Sequence, residues 1–168
     1  LRDMSKVLQG LCFASLRFTT NFVEGARLWV HEITRAFGDR LICDEDRTWI
    51  QEGIDRKLVE EYFLSLEDVY NTGFGKRIIF CDFMGGGNDK PYRQVDDIKT
   101  FIKKVESKLH DFNDTTKSKP MRLVMFLDAC DHVARICRII RQTQGHALLL
   151  GVGGSGRQSL ARLSSYIN

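Results

Sequence analysis

The glycine-rich segment at residues 151–159 (GVGGSGRQS) constrains the fold of this chain more than any other part of its sequence. It follows the short apolar run HALLL at 146–150 and precedes a helical pattern over 158–167. A short apolar run between glycines predicts a buried strand. Because glycine permits positive φ and close approach of the backbone, the turn can point its N–H groups at an anion, beside the positive end of the helix dipole. A strand, a glycine turn and a helix in this order predict a phosphate-binding loop.

The spacing of the glycines fits two motifs. Gly151, Gly153 and Gly156 match G-x-G-x-x-G, the dinucleotide fingerprint, and Gly151 and Gly156 also frame the G-x-x-x-x-G of nucleotide triphosphatases. The dinucleotide motif requires an acid about 20 residues later, beyond the sequence given. We favour the triphosphatase loop; dinucleotide binding and a purely structural glycine turn stay open.

The triphosphatase motif continues with Lys and then Ser or Thr, and this chain departs from it at both places. It has Arg157 and Gln158 there, with Ser159 one residue late. Arginine can pair bidentately with phosphate oxygens but differs from lysine in size and geometry. Gln158 is not equivalent to a hydroxyl ligand of magnesium, and Ser159 lies about 100° further round the helix. The chemistry predicts nucleotide binding with slow or absent hydrolysis, so no catalytic or metal residue is assigned. The candidate nucleotide-binding residues are Gly151, Val152, Gly153, Gly154, Ser155, Gly156, Arg157, Gln158 and Ser159.

Composition argues against several classes of protein. Apolar residues make up 43% and charged residues 28% of the 168 residues, as in ordinary globular proteins. No apolar run approaches the roughly 20 residues of a membrane helix, and a net charge of +3 does not by itself indicate nucleic acid binding. The sequence begins with Leu1 and carries no signal-peptide pattern, so we expect an excerpt of a larger protein.

The cysteines do not form a disulfide framework or a zinc site. There are five, an odd number, and none belongs to a Cys-x-x-Cys pair. Cys130 and Cys137 are seven residues apart and share one helix face, which favours a role as buried apolar filler. A reducing compartment is expected.

Apolar spacing predicts three amphipathic helices in the first part of the chain. Their stripes are Met4, Val7, Leu8, Leu11, Ser15 and Phe18, then Phe22, Ala26, Trp29, Val30, Ile33 and Phe37, and then Ile50, Ile54, Leu58 and Tyr62, with Trp49, Val59 and Phe63 beside the last. Gly38 is a stop signal for the second helix, and the acids at 44–46 suit the start of the third. Helices of this kind pack as a small bundle. Trp29 and Trp49 fall on the stripes and are expected in the core.

The second part of the chain mixes a short strand with long helices. Residues 77–83 (RIIFCDF) predict a strand that runs into the glycine loop 85–87, a solvent loop in the simplest interpretation. Two helices follow, with stripes at Val95, Ile98, Ile102, Val105, Leu109 and Phe112, and at Leu123, Phe126, Leu127, Cys130, Val133, Cys137 and Ile140. The second should be largely buried, with His132 a packed or surface residue. The predicted fold class is mainly α with a minor β component.

The C-terminal half also resembles a known family. Residues 126–142 (FLDACDHVARICRIIRQ) and 147–160 (ALLLGVGGSGRQSL) closely resemble the fourth AAA+ module of axonemal dynein heavy chains, and RQS at 157–159 is similar to that module's own loop variant. Residues 1–10 (LRDMSKVLQG) resemble the start of the lid helices of the third module. Residues 81–84 (CDFM) resemble the segment that enters the fourth module, in the form seen among single-headed inner-arm chains.

This resemblance implies a division of the chain and a ligand. It implies a helical lid bundle of the third module at 1–73, and at 74–168 an incomplete αβα subdomain of an α/β P-loop domain that ends just after the phosphate loop. The loop would bind ATP or ADP, with Mg²⁺ in the intact protein. Arg2 matches an arginine that can sense the nucleotide of the third module, and a surface arginine is the alternative. The 85–87 loop could lie near the base of the fourth module's nucleotide.

The resemblance also implies a motor ATPase that moves along microtubules, located in the cytoplasm and cytoskeleton, in the axoneme of cilia or flagella. Its partners would be neighbouring AAA+ modules, intermediate and light chains, and microtubules, with neither nucleic acid nor membrane. This chain alone is expected to be inactive, because the acidic strand that holds magnesium would follow residue 168. Two other classes stay open: a non-catalytic helical interaction module with a vestigial glycine-rich loop, and a dinucleotide-dependent oxidoreductase.

Overall fold

The computed structural model describes residues 1–14, 17, 19–85, 90–116 and 120–168. The chain forms two compact units, each built from segments distant in sequence. Unit 1 comprises Leu1–Phe80 and Pro91–Asp96, and unit 2 comprises Cys81–Lys90 and Asp97–Asn168. The described residues are mostly helical, with one two-stranded sheet of β1 (Phe80–Cys81) and β2 (Arg93–Gln94). The predicted class, mainly α with minor β, is confirmed.

Unit 1 is a set of helices whose starts and stops follow from local sequence. They are α1 (Arg2–Leu11), α2 (Phe22–Ile33), a π-helical turn (Thr34–Gly38), α3 (Asp44–Glu60) and α4 (Leu66–Tyr70). Helix α2 begins with a capping box, in which Asn21 Oδ1 accepts the Glu24 N–H at 2.9 Å and the Glu24 carboxylate accepts the Asn21 N–H. Three acids occupy the first turn of α3, as predicted. The last two members of the first predicted stripe, Ser15 and Phe18, lie outside the described residues.

One apolar cluster forms the core of unit 1. Its buried members are Ala26, Leu28, Val30, Ile54, Leu58, Val69, Tyr70, Ile78, Phe80 and Tyr92. Helices α2, α3 and α4 therefore pack with the extended segments around β1 and β2, and α1 packs on α2. The predicted packing of amphipathic helices is confirmed, but extended segments complete the core.

The prediction that both tryptophans lie in this core was wrong for one of them. Trp29 is half-buried against the cluster, whereas 74% of Trp49 is exposed. Ile54 and Leu58 form the buried row of α3, with Ile50 packed beside it. Since successive helical residues are about 100° apart, Trp49 points away from the row that Ile50 continues.

A buried polar network lies beside this core. Glu32 of α2 is fully buried, and its Oε1 accepts a hydrogen bond from the Tyr92 hydroxyl at 2.9 Å. His31 Nδ1 donates to the Ile78 carbonyl at 2.7 Å, and His31 Nε2 lies 3.0 Å from the Tyr92 oxygen. Because a buried carboxylate is stable only when it is hydrogen-bonded, the network restricts how α2 can pack on the segment around β2.

Unit 2 packs three helices against one another: α5 (Ile98–Thr115), α6 (Leu127–Arg141) and α7 (Arg157–Ile167). Helix α6 buries eight of its residues, which confirms that it is largely buried. Cys130 and Cys137 are among them, and burial raises the pKa of each thiol to about 12. Both remain protonated at neutral pH and act as apolar filler, as predicted. None of the described helices has the length and apolar character needed to cross a bilayer.

Two predicted strands differ from the structure. Of residues 77–83, only Phe80 and Cys81 form a strand. Residues 146–150 form no strand and are exposed, with Leu148 84% and Leu150 82% accessible. Their predicted burial was wrong for a physical reason. A strand is stabilised by a hydrogen-bonded neighbour, and the only sheet among the described residues pairs β1 with β2.

The start of α5 provides a pH-dependent prediction. Asp97 caps the helix by accepting the Thr100 N–H at 2.6 Å, and the Thr100 hydroxyl and N–H hold the pKa of Asp97 below its usual range. A lowered carboxyl pKa means that the cap is fully present above the ordinary Asp pKa and is lost as pH falls through the lowered value. Amide protection factors in the first turn of α5 should therefore fall in acid. Asp97→Asn keeps a capping oxygen and should abolish this pH dependence; an unchanged acid transition in this variant would contradict the assignment.

Candidate functional site

Helix α7 begins with an N-terminus that no side chain caps. Its N-cap is Gly156, in the left-handed region at φ 79°, and no side chain accepts a hydrogen bond from the first turn. The first intrahelical bond joins the Leu160 N–H to the Gly156 carbonyl at 2.9 Å. The N–H groups of the first turn therefore point out of the helix end, where the dipole favours an anion. The predicted helix start at residue 158 is one residue late.

The turn before α7 depends on a second glycine in the left-handed region. The Ser155 N–H donates to the Val152 carbonyl at 3.4 Å, which closes a turn with Gly154 at its third position. Gly154 has φ 81°, the positive value that a type II turn requires there. Gly154 and Gly156 thus have conformations that other residues rarely adopt, which gives a structural reason for two of the predicted loop glycines.

The loop and the start of α7 line an open cavity of about 690 Å³, within the usual range for ligand pockets. Residues 153–159 line it, so seven of the nine predicted residues come together there. Gly151 and Val152 do not line it, whereas Leu149 and Ala161 do and were missed. Ala161 lies one turn into α7, a position that helical periodicity after the loop could have indicated. Among the described lining residues, Arg157 alone is charged.

The Arg157 side chain does not point at an open anion site. Its Nη2 lies 3.2 Å from the Val152 carbonyl oxygen, and its Nη1 lies 3.5 Å from that of Leu149. The guanidinium therefore donates to the loop's own backbone. The sequence predicted a cation beside the phosphate. In the structure this cation lies at the loop but is hydrogen-bonded to the loop's own carbonyls.

The magnesium expected with the nucleotide does not fit the residues present. The place of the hydroxyl ligand is taken by Gln158, which is exposed, while the partly buried Ser159 lies one position further round α7. No cluster of three His, Cys, Asp or Glu side chains suited to a metal occurs in the described part of the chain. A hydroxyl or carboxylate in register with the phosphates is what magnesium requires. We therefore derive no step through the metal from these residues.

Burial of one face of α7 on α6 holds the loop's helix in place. Leu163 is fully buried, and the hydroxyl of the buried Ser164 donates to the Leu160 carbonyl at 2.8 Å. Cys137 on α6 contacts the Ser164 carbonyl through its sulfur at 3.7 Å. At the other end, Lys90 Nζ donates to the Ile167 carbonyl at 2.7 Å, a favourable cation at a helix C-terminus.

The remaining predicted residues lie apart from this cavity's lining. Arg2 is exposed in the first turn of α1, and its proposed sensor role stays a prediction. His132 is exposed on α6 and so is a surface residue. Of the 85–87 loop, residues 86 and 87 lie outside the described residues.

Comparison with known proteins matches both ends of the chain to AAA+ families. A family model described as "AAA+ lid domain" matches residues 1–72, and one described as "P-loop containing dynein motor region D4" matches residues 121–168. The chain is 41% identical over 168 residues to mouse dynein axonemal heavy chain 1. It is 42% identical over 170 residues to the ciliary dynein beta chain of Tripneustes gratilla. It is 37% identical over 178 residues to human dynein axonemal heavy chain 3. The chain belongs to the axonemal dynein heavy chain family. These alignments cover 99–100% of the chain but only 4% of each relative.

The cavity lies within the residues that match the P-loop region of the dynein motor. The matched P-loop region contains α6, the loop and α7 in one stretch. The lid match contains α1 to α4. Membership of the axonemal dynein family therefore accounts for a helical unit followed by a glycine loop, and the recognition made from residues 126–160 is confirmed.

Proposed function

We propose that this chain contributes a nucleotide-binding loop to an ATP-driven microtubule motor of the axoneme. The observation that carries the proposal is the uncapped N-terminus of α7 at Gly156, which faces a cavity lined by residues 153–159. Such an arrangement binds phosphate through backbone N–H groups. The family match supplies the context, since the curated relatives are named as axonemal, ciliary or flagellar dyneins.

In this proposal residues 1–73 are the lid of the third AAA+ module, and 74–168 are the first part of the fourth, from a single-headed inner-arm chain. The ligand is ATP or ADP, held in a regulatory rather than hydrolytic role because Arg157 and Gln158 replace Lys and Ser or Thr. Magnesium would enter with the nucleotide and be held from the acidic strand of the longer protein.

The intact motor would act in the cytoskeleton of the cilium or flagellum, with microtubules, intermediate and light chains and adjacent modules as partners. Arg2 would sense the nucleotide of the third module.

Calorimetric titration of the 168-residue chain with ATP and with ADP tests the loop. Gly156→Val should weaken binding at least about tenfold, because a β-branched residue is strained at φ 79° and would distort the start of α7. Gly156→Val combined with Arg157→Ala should abolish it. Gly53→Ala is the matched control, since a methyl group there meets no atom within 4 Å. Equal affinity in wild type and Gly156→Val, or no heat with any nucleotide, would contradict the proposal.

A helical interaction module with a vestigial loop is the second candidate. The exposed aromatic side chains of unit 1 favour it, with Phe22 61%, Trp49 74% and Phe63 88% accessible. The same titration separates the two, because an interaction module binds no nucleotide even when circular dichroism shows native helix content.

A further inference from the structure

In this structure the side chain of Arg157 holds the glycine-rich loop at 151–159 in a closed conformation by binding carbonyl groups that precede α7. Arg157 sits at the first position of α7, yet its guanidinium turns back to the carbonyls of Leu149 and Val152, at 3.5 and 3.2 Å. These acceptors belong to the segment that enters the loop. The side chain therefore bridges the two ends of the loop, and its charge is partly neutralised by backbone dipoles.

The same closure also uses one of the loop's backbone donors. The Val152 carbonyl that accepts from Arg157 also accepts the Ser155 N–H, at 3.4 Å. A phosphate cradle needs its N–H groups directed into the cavity. One carbonyl thus draws both a cation and an amide away from the position where an anion would bind.

Gly151 makes room for this arrangement. A Cβ at Gly151 would lie 3.1 Å from Ser155 Oγ, 3.4 Å from Arg157 Cδ and 3.5 Å from Arg157 Nε. A Cβ there would therefore crowd the Ser155 hydroxyl and lie in van der Waals contact with the Arg157 side chain. A side chain that extends beyond Cβ would meet Arg157 in its closed position. Gly151 does not line the cavity itself.

We infer that Arg157 is an internal competitor of the phosphate, which holds the loop closed until a nucleotide polyphosphate draws the guanidinium away from the Leu149 and Val152 carbonyls. This inference rests on the proposed function. A polyphosphate offers the guanidinium charged oxygens in bidentate geometry, which are stronger acceptors than carbonyls. Release of Val152 would then free the Ser155 N–H for the ligand. Arg157 thus acts as a positioning residue, and affinity at this loop includes the cost of opening it.

A double-mutant cycle with ATP, by calorimetry on the 168-residue chain, tests the inference. Gly151→Val keeps the arginine but adds methyl groups beyond a Cβ that already lies 3.4 Å from Arg157 Cδ. It should disfavour the closed position, so ATP should bind about threefold tighter or more. Arg157→Lys keeps the charge but cannot donate from two nitrogens to both carbonyls, so it should also tighten binding. The double variant should bind ATP no more tightly than the better single variant, because both substitutions disrupt the same contact of Arg157 with the loop carbonyls. Arg162→Lys is the control, an exposed arginine of the same helix that does not line the cavity.

A second readout follows the closure directly. In the unliganded protein, ¹⁵N resonances of the Arg157 guanidinium should report restricted rotation, and pyrophosphate should shift them. If wild type binds ATP while Gly151→Val binds equally or more weakly, or if the two single effects multiply, the closure does not compete and the inference is wrong. If wild type binds no nucleotide, the proposed function fails, and the inference fails with it.

Discussion

Replacing Gly10 by alanine is expected to destabilise unit 1 by about 3 to 5 kcal/mol, the cost of disrupting a buried charged group. A Cβ at Gly10 would come within 1.7 Å of Glu32 Oε2 and 2.2 Å of Glu32 Cδ. Glu32 is fully buried, so its carboxylate can move only by leaving Tyr92, whose hydroxyl donates to it at 2.9 Å. The alternative is that α1 moves off α2, which would expose Val7. Either route breaks contacts that hold the unit together.

Urea unfolding followed by tryptophan fluorescence measures this effect, because both tryptophans of the chain, Trp29 and Trp49, lie in unit 1. Gly53→Ala is the matched control. It adds the same methyl group inside α3 where nothing lies within 4 Å, so it should stabilise the protein by up to about 1 kcal/mol. A Gly10→Ala variant that unfolds at the same urea concentration as wild type would show that α1 does not pack on Glu32 as described.

Replacing Leu163 by alanine is expected to cost about 3 to 5 kcal/mol in unit 2, in the range for a fully buried leucine that leaves a cavity. Leu163 is 0% exposed on the face of α7 that packs on α6. The loss has a functional consequence, because this packing fixes the direction in which the N-terminus of α7 points. Nucleotide affinity should fall together with stability, although Leu163 lies outside the cavity lining.

Hydrogen exchange of peptides from α6 and α7 measures the change in unit 2 separately from unit 1. Leu148→Ala is the control, since 84% of Leu148 is already exposed and truncation there should change stability by less than about 0.5 kcal/mol. Unchanged protection of α6 and α7 in Leu163→Ala would mean that this interface does not hold the helix.

Structural features that follow from local residue patterns were predicted well. The burial of α6 and the start of α7 within one residue follow from the 3,4 spacing of apolar residues and from glycine chemistry, which are local properties. The capping box at Asn21 and Glu24 was missed although its spacing is visible in the sequence. Asp97 was missed as a cap because the apolar stripe was extended back to Val95, before the helix starts at Ile98.

Features that depend on contacts between residues distant in sequence could not be predicted. The fully buried Glu32 bonds Tyr92, 60 residues away, so no local pattern marks it as a core residue. Trp49 belongs to an apolar stripe but points away from the buried row of α3, because packing partners decide which side of a helix is covered.

The glycine-rich loop before α7 shows both cases. Its glycines, its helix and its family could be predicted from the sequence, because positive φ, helix periodicity and motif spacing are properties of neighbouring residues. The exposure of residues 146–150 was visible only in the folded chain, since a strand forms only when a second strand supplies its hydrogen bonds. The folded chain also shows that Arg157 faces the Leu149 and Val152 carbonyls. A side chain's choice among acceptors depends on where the folded backbone brings them, and no spacing in the sequence records it.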